Sequence, residues 1–173
     1  GALSAGRKNP DNALFPYATD DKITDSKHVT GAKTVIRHKK GNEIHLWEPF
    51  TEPFQSIYRT TANLFKNREG NKIIFEEINH DLGLTYRYGW MFSEKYGIVK
   101  KSYLINHSEN DAEVEILDGI RNILPYGVDS NLQNVRSTLV DAYKRNELDL
   151  ESELAIYSLS SMIIDTAEPS EAL

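Results

Sequence analysis

The carboxylates most suggestive of chemistry are Glu76 and Glu77, which are neighbours in the sequence. Cleavage of a glycosidic bond commonly uses two carboxyl groups, one on each side of the bond. The residues around this pair read as a β-strand, in which adjacent side chains point to opposite faces. The two carboxylates therefore cannot flank one substrate atom. We expect one of them to be solvated and the other to be paired.

Histidine and cysteine form no pattern typical of a metal site. None of the histidines makes the helical i, i+4 pair or the tight strand spacing that zinc favours; they are His28, His38, His45, His80 and His107. The sequence has no cysteine, and it has no motif typical of an activated serine, a bound phosphate or a dinucleotide. It therefore predicts no metal, no cofactor and no nucleophilic catalysis.

One of these histidines, His80, lies with Asp81 between two predicted strands. It could contact a ligand, although we favour a turn histidine that caps its own loop. A mutarotase-like sugar epimerase would need a histidine and a carboxylate to converge on a sugar ring. Only His80 or His107, with Glu77 or Asp118, could serve in that role.

The clearest strand pattern in the chain carries aromatic residues. Tyr86, Tyr88 and Trp90 follow Leu82 and Leu84 with a strict period of two. Their rings could pack against the C–H faces of sugars or form the core, and we favour the core. The candidate carbohydrate-binding residues of the chain are Trp90, Tyr88, Tyr86, Arg87, Asn79, His80 and Tyr126, of which Arg87 is expected to project from the opposite face.

Tyr126 belongs to the segment Leu124–Gly127, which reads Leu-Pro-Tyr-Gly. Proline fixes one backbone dihedral and glycine permits another, so the segment is a defined turn. We favour a structural turn with a buried Tyr126 over a ligand contact. A helix follows, capped by Asp129 or Ser130, and its expected buried face consists of Leu132, Val135, Leu139 and Tyr143.

The elements around these residues are mostly short strands joined by turns. Thr34–His38 and the residues after Lys40-Gly41-Asn42 read as a hairpin, and Arg68–Asn71 reads as another turn. Further strands are expected up to about residue 116, and Leu154–Ile164 returns to strand character. This pattern predicts an all-β fold with one helix, an antiparallel β-sandwich of the super-sandwich type.

The predicted boundaries are an N-terminal arm over residues 1–30 and a β-sandwich domain over residues 31–173. The arm is rich in Gly, Asn, Asp and Thr and lacks periodicity, and Phe15 and Tyr17 are expected to pin it to the body. The small, polar start Gly1–Gly6 resembles the residues that follow a removed signal peptide. It slightly favours a periplasmic or secreted location.

The acidic composition of the chain argues against nucleic acids and anionic membrane surfaces as partners. The net charge is −6, the pI is about 5.4, and no run of Lys and Arg is longer than two. Binding of nucleic acid or of an anionic membrane surface needs a concentrated basic face. No apolar run approaches the roughly 20 residues that span a bilayer. We therefore expect neither a nucleic acid nor a membrane as partner.

Residues 72–173 carry a resemblance to a known family. The most specific motifs are Leu117-Asp118-Gly119 and Leu-Pro-Tyr-Gly. The other matching segments are Phe75–Asn79, Tyr86–Trp90, Ser93–Val99, Val114–Ile120, Asn122–Val128 and Asp165–Glu171. Together they resemble the N-terminal super-sandwich region, similar in form to galactose mutarotase, of large bacterial proteins of the cellobiose-phosphorylase-like or glycoside-hydrolase-like type.

This resemblance implies a sandwich that precedes an (α/α)6 catalytic barrel, which holds the general acid and which this sequence lacks. The chain is then a non-catalytic scaffold truncated from a larger carbohydrate-active enzyme, with carbohydrate and the missing barrel as partners. In some relatives the sandwich contributes to dimerisation, so a homodimer is compatible with the resemblance. The alternatives are a stand-alone carbohydrate-binding module and, with less support, the mutarotase-like epimerase.

Overall fold

β-strands make up most of the part of the chain that the computed structural model describes, residues 13–16 and 28–161. The strands and helices in chain order are β1 (Gly31–Lys40), β2 (Glu43–Trp47), α1 (Glu52–Gln55), β3 (Thr60–Lys66), β4 (Lys72–Asn79), β5 (Leu84–Ser93), β6 (Gly97–Asn106), β7 (Glu113–Arg121), α2 (Ser130–Tyr143), β8 (Lys144–Asp149) and β9 (Leu154–Leu159). The predicted helix is α2, and the four-residue helix α1 was not predicted.

The chain divides into two compact units. The central unit is Lys33–Asp118, and the terminal unit combines Gly1–Ala32 with Gly119–Leu173. The predicted sandwich domain over residues 31–173 is thus distributed over both units. Of the predicted arm, the structure describes only residues 13–16 and 28–30. Tyr17 and the closing motif Asp165–Glu171 lie outside the described residues.

The central unit contains two sheets. The first two residues of β1, Gly31 and Ala32, and the last three of β7, 119–121, belong to the terminal unit. The strand order is β2-β1-β7 in the three-stranded sheet and β3-β4-β5-β6 in the four-stranded sheet. The predicted hairpin around residues 40–42 is confirmed, because Lys40 pairs with Glu43 across a two-residue loop. The predicted turn over residues 68–71 is confirmed as well, because it connects the antiparallel strands β3 and β4.

Side chains of both sheets meet inside the central unit. Ile36 and Trp47 enter from the three-stranded sheet, and Leu84 and Tyr86 enter from the four-stranded sheet; all four are buried. Two antiparallel sheets with a shared interior form a β-sandwich. The predicted fold class, all-β with one principal helix, is therefore confirmed. We call the side of the four-stranded sheet that carries Tyr86 its inner face and the opposite side its outer face.

The terminal unit has its own small core around α2 and the β8–β9 hairpin. Val128, Val140 and Leu159 are buried together, and Leu124 and Leu132 pack against them. Phe15 is buried too, and the neighbouring Leu14 carbonyl accepts a hydrogen bond from the Leu124 amide at 2.8 Å. Asp129 is the N-cap of α2, since its carboxylate accepts the Leu132 amide hydrogen bond at 2.6 Å.

The predicted buried face of α2 is wrong for three of its four members. Val135 is 69% exposed, and Leu139 and Tyr143 are exposed as well, whereas Val140 is buried. The reason lies at Arg136, whose φ of −137° and ψ of 34° are not helical. This kink changes the angular relation between the residues before and after it. Helical periodicity carried across the kink therefore places the wrong residues in the core.

Candidate functional site

Three of the four aromatic residues of β5 belong to the interior of the central unit. Tyr86, Tyr88 and Trp90 are all buried on the inner face. The Tyr88 ring stacks on Phe75 at 4.9 Å between centroids and meets Phe50 edge-on at 5.5 Å. Burial raises the pKa of Tyr86 to about 12 and raises that of Tyr88 further. These rings form core, as the sequence favoured, and they present no exposed platform.

Glu77 points to the same interior. Its side chain is buried and accepts hydrogen bonds from the Trp47 indole at 3.0 Å and from the Phe50 amide at 2.9 Å. The carboxylate thus connects β4 to the end of β2 and the segment after it. Because both donors are buried with it or close to it, the group serves as an internal acceptor.

Glu76 points to the outer face, as strand geometry requires. Its carboxylate accepts hydrogen bonds from Asn63 at 2.8 Å and from the Arg87 Nε. Burial alone would raise the pKa of Glu76, but the hydrogen bonds from Asn63 and Arg87 outweigh it and lower the pKa. The expectation that one of the two glutamates is solvated is wrong, since both are buried and paired. For Glu76 the cause is the cross-strand partners that β3 and β5 supply.

A polar cluster converges on Asp118 in β7. The carboxylate lies within hydrogen-bond distance of Thr34 (2.7 Å), Tyr86 (2.9 Å), Lys100 (2.6 Å) and Ser102 (2.7 Å). Burial alone would raise the pKa of Asp118, but these hydrogen bonds, led by that of Lys100, lower it. Ser102 lies 2.9 Å from the Lys100 ammonium.

The Asp118 cluster joins strands of both sheets, and its polar groups form hydrogen bonds with one another. Lys100 donates hydrogen bonds to both carboxylate oxygens of Asp118. Its ammonium group is therefore engaged in an ion pair and is not placed to accept a proton from the Ser102 hydroxyl. The arrangement is that of a structural ion pair with satisfied hydrogen bonds. It fastens β7 to β5 and β6.

The histidines and carboxylates named for an epimerase do not converge. The His80 and His107 rings contact Thr61 at 2.9 Å and Thr85 at 2.8 Å, and both threonines lie on the outer face. Glu77 and Asp118 instead take part in contacts of the inner face. The sheet therefore separates the two kinds of group.

Asn79 and His80 have different roles from those expected. The buried Asn79 side chain accepts hydrogen bonds from the Asp81 amide at 3.2 Å and the Leu82 amide at 3.0 Å, so it caps the turn between β4 and β5. The ring of His80 bonds to Thr61 on the neighbouring strand instead. The expectation that His80 caps its own loop is wrong, because the amide side chain one position earlier has that role.

Tyr126 is 84% exposed, so the expectation of a buried ring is wrong. The turn itself is confirmed, since Gly127 adopts a φ of 89°, a conformation that favours glycine. The neighbouring Leu124 and Val128 enter the core of the terminal unit. Two apolar neighbours anchor the turn and leave the tyrosine ring outside.

A row of four side chains crosses the outer face from β3 to β6. The register places Asn63 opposite Glu76, Glu76 opposite Arg87, and Arg87 opposite Tyr103. We call these four residues the outer row. Of its members the sequence named only Arg87 as a binding candidate, because the row exists only once the register of all four strands is set. The turn over residues 68–71 is the part of the sequence that indicates the pairing of β3 with β4, and therefore the position of Asn63 opposite Glu76.

Two cavities accompany these features. One, of about 230 Å³, lies in the terminal unit and is lined by Leu124, Val140 and several polar residues, among them the Asp141–Lys144 ion pair. The other, of about 270 Å³, lies in the central unit beside the Arg37–Glu115 pair. In both, the charged groups named here are already paired.

Residues 13–16 and 28–161 show two absences that bear on metal binding and on membrane crossing. In this part of the chain no three His, Asp or Glu side chains come together as ligands of a metal ion would. Nor does any helix there have the length and apolar character needed to cross a bilayer.

The fold and the site define the central unit as an antiparallel β-sandwich with a polar network inside and a polar row outside. Comparison of the sequence with protein-family models and with curated proteins gives no match.

Proposed function

We propose that this chain is a non-catalytic β-sandwich module of a carbohydrate-active enzyme of the glycoside phosphorylase or hydrolase type. In this proposal the module scaffolds a catalytic barrel that another part of a longer polypeptide supplies. The resemblance of residues 72–173 to super-sandwich regions supports the carbohydrate context. The terminal unit supports the scaffold role through exposed side chains of α2, and the central unit supports it through its paired carboxylates.

The observation that carries the proposal is a set of exposed apolar side chains on α2. Leu139 and Tyr143 follow the kink at Arg136 with an i, i+4 spacing, so they share one face, and both are exposed. Val135, which precedes the kink, is exposed as well. Burial of a Val or Leu side chain contributes about 1.5–3 kcal/mol. Exposed apolar side chains grouped in this way are therefore typical of a surface that packs against another body. A barrel that docks on α2 would supply that body.

The carboxylates of the central unit give further support. Glu76, Glu77 and Asp118 are each held by at least two hydrogen bonds. A general acid or base must be free to exchange a proton with substrate. Using any of these three groups in that way would first require breaking the contacts that stabilise the sandwich. A structural role is the simpler assignment for all three.

The proposal is tested with the chain and with the longer product of its reading frame. Sequencing beyond the codon for Leu173 is expected to reveal several hundred further residues. Hydrogen exchange of the longer protein should then show stronger protection of the α2 amides than the isolated chain does. The double substitution Val135→Ser with Leu139→Ser should remove that protection, and Ile57→Ser, at an exposed position of the central unit, serves as the control.

Activity measurements complete the test. The isolated chain is expected to release no product from aryl glycosides, nor from cellobiose in the presence of inorganic phosphate. Turnover by the chain alone would contradict the proposal, as would a stop codon directly after Leu173. The second candidate function is a stand-alone carbohydrate-binding module, and the outer row is the observation that favours it.

A further inference from the structure

The outer row offers hydrogen-bonding groups across the full width of the four-stranded sheet. Neighbouring strands lie about 4.8 Å apart, so the distance from Asn63 on β3 to Tyr103 on β6 is about 14 Å. The direction of the row is perpendicular to the strands. A linear ligand lying along it would contact all four strands in turn.

Two half-exposed aromatic rings stand on this face near opposite edges of the sheet. Phe65 on β3 and Tyr103 on β6 are each 48% exposed. The Lys101 ammonium lies 5.0 Å from the centroid of the Tyr103 ring. Aromatic rings with an accessible face pack well against apolar C–H surfaces, and a tyrosine adds a polar tip. The face therefore offers two stacking positions with polar groups between them.

Several polar atoms of the row are uncommitted. Arg87 uses its Nε for Glu76, and its two terminal nitrogens make no hydrogen bond to any described residue. The same holds, within residues 13–16 and 28–161, for the Tyr103 hydroxyl and the Asn63 carbonyl oxygen, because Asn63 bonds to Glu76 through Nδ2. These atoms comprise donors and acceptors, as the hydroxyl groups of a sugar require, because each hydroxyl both donates and accepts.

The charge of the row selects the kind of ligand. The Arg87 guanidinium is compensated by the buried Glu76 carboxylate, whose lowered pKa keeps it ionised at neutral pH. Glu76 is fixed on both sides, so it also holds Asn63 and Arg87 in place before any ligand arrives. Lys101, whose ammonium lies over the Tyr103 ring, adds a positive charge beside the row. Within the row itself the charges of Glu76 and Arg87 compensate each other, so the row is pre-organised and neutral, which suits a neutral ligand.

We propose that the outer row, bracketed by Phe65 and Tyr103, is a binding surface for a neutral polysaccharide chain that lies across the strands. The rings stack on sugar faces near the two edges, while Arg87 and Asn63 bond to hydroxyl groups between them. This inference does not depend on the scaffold role. It replaces Tyr86, Tyr88 and Trp90 as the binding aromatics, since those rings are buried on the inner face.

The test uses the full chain in native gels that contain hydroxyethylcellulose, xyloglucan, galactomannan or soluble starch. Retardation is expected with at least one of these polymers, and isothermal titration with fragments of that polymer gives the affinity. Tyr103→Ala and Phe65→Ala should each weaken binding about tenfold or more, equivalent to about 1.4 kcal/mol. Phe92→Ala is the matched control, because this 54% exposed ring has the alternation of the inner face, and its binding should be unchanged.

Arg87→Lys provides an independent measurement. Lysine keeps the positive charge beside Glu76 but lacks the planar fork, so binding should weaken while circular dichroism shows a folded protein. The inference is overturned if no neutral polymer retards the chain, or if Tyr103→Ala and Phe92→Ala behave alike. Polygalacturonate is the charged comparison polymer. The inference is also overturned if this polymer alone retards the chain and moderate salt abolishes the retardation. None of these outcomes bears on catalytic turnover or on protection of α2, so the scaffold proposal is judged separately.

Discussion

Asp118→Asn is the substitution that most directly probes how the sandwich is held together. The asparagine keeps the shape of the side chain but removes the charge that faces Lys100. The Lys100 side chain is only 8% exposed, and that of Asp118 is 27% exposed. Removing one partner of a buried ion pair costs about 3–5 kcal/mol. The partial exposure of Asp118 places this case at the lower end, so we expect a loss of about 3 kcal/mol in the free energy of unfolding.

Urea denaturation followed by tryptophan fluorescence measures this loss. Both tryptophans, Trp47 and Trp90, are buried in the central unit and report on its unfolding. With a urea dependence of about 1.5 kcal/mol/M, the midpoint should fall by about 2 M. The matched control is Glu115→Gln, which removes an ion pair with Arg37 between two exposed side chains. Exposed pairs contribute about 0–1 kcal/mol, so the control should scarcely move the midpoint.

The pH dependence gives a second readout for Asp118. Hydrogen bonds lower its pKa in the folded protein, below the value of about 3.9 for an unfolded aspartate. The stabilisation is therefore complete above the unfolded pKa and is lost as the pH falls through the folded pKa. The difference between the wild type and Asp118→Asn should shrink in that acidic range. A difference below 1 kcal/mol at pH 7, or one that does not change in acid, would refute the reasoning.

Two further substitutions test the cores of the separate units. Trp90→Ala should destabilise the central unit by about 3–5 kcal/mol, because it leaves a large cavity in the buried face of β5; fluorescence of the remaining tryptophan measures it, and a cost near zero would contradict the core assignment. Val140→Ala should lower the thermal stability of the helical signal at 222 nm, whereas Val135→Ala, at a 69% exposed position, should not. Equal effects of the two valine substitutions would show that the kink at Arg136 does not decide which side of α2 is buried.

The sequence predicted the strands well where alternation and turns agreed. Residues 84–90 alternate without interruption, and the structure places Tyr86, Tyr88 and Trp90 on one buried face with Arg87 on the other. It could not predict that both Glu76 and Glu77 are buried. The partners of Glu76, Asn63 and Arg87, lie opposite it in the neighbouring strands and follow from the register rather than from local composition. Glu77 is held instead by Trp47 and the Phe50 amide, which reach it only when the two sheets pack together.

The terminal unit shows a second limit of prediction from sequence. β8 consists mainly of charged and polar residues, Lys144–Asp149, and follows α2 directly, so its local pattern indicates the end of a helix. It forms a strand because residues 154–159 provide a partner, from Leu159 opposite Lys144 to Leu154 opposite Asp149. Strand character imposed by a partner is a tertiary effect that intrinsic propensity does not register.

The alternation of β5 also decides where a ligand can bind this sandwich. Trp90 was a candidate for sugar binding because tryptophan rings stack on sugars. Its ring is buried in the core, so it cannot also contact a polymer in solution. Arg87 has the opposite orientation, and its partner Glu76 fixes it without consuming its terminal nitrogens. In a two-sheet sandwich, binding groups on a sheet face come from the positions that alternate with the core. Substitution of Trp90 should therefore reduce stability, and substitution of Tyr103 should reduce binding, so the two measurements separate the core from the surface.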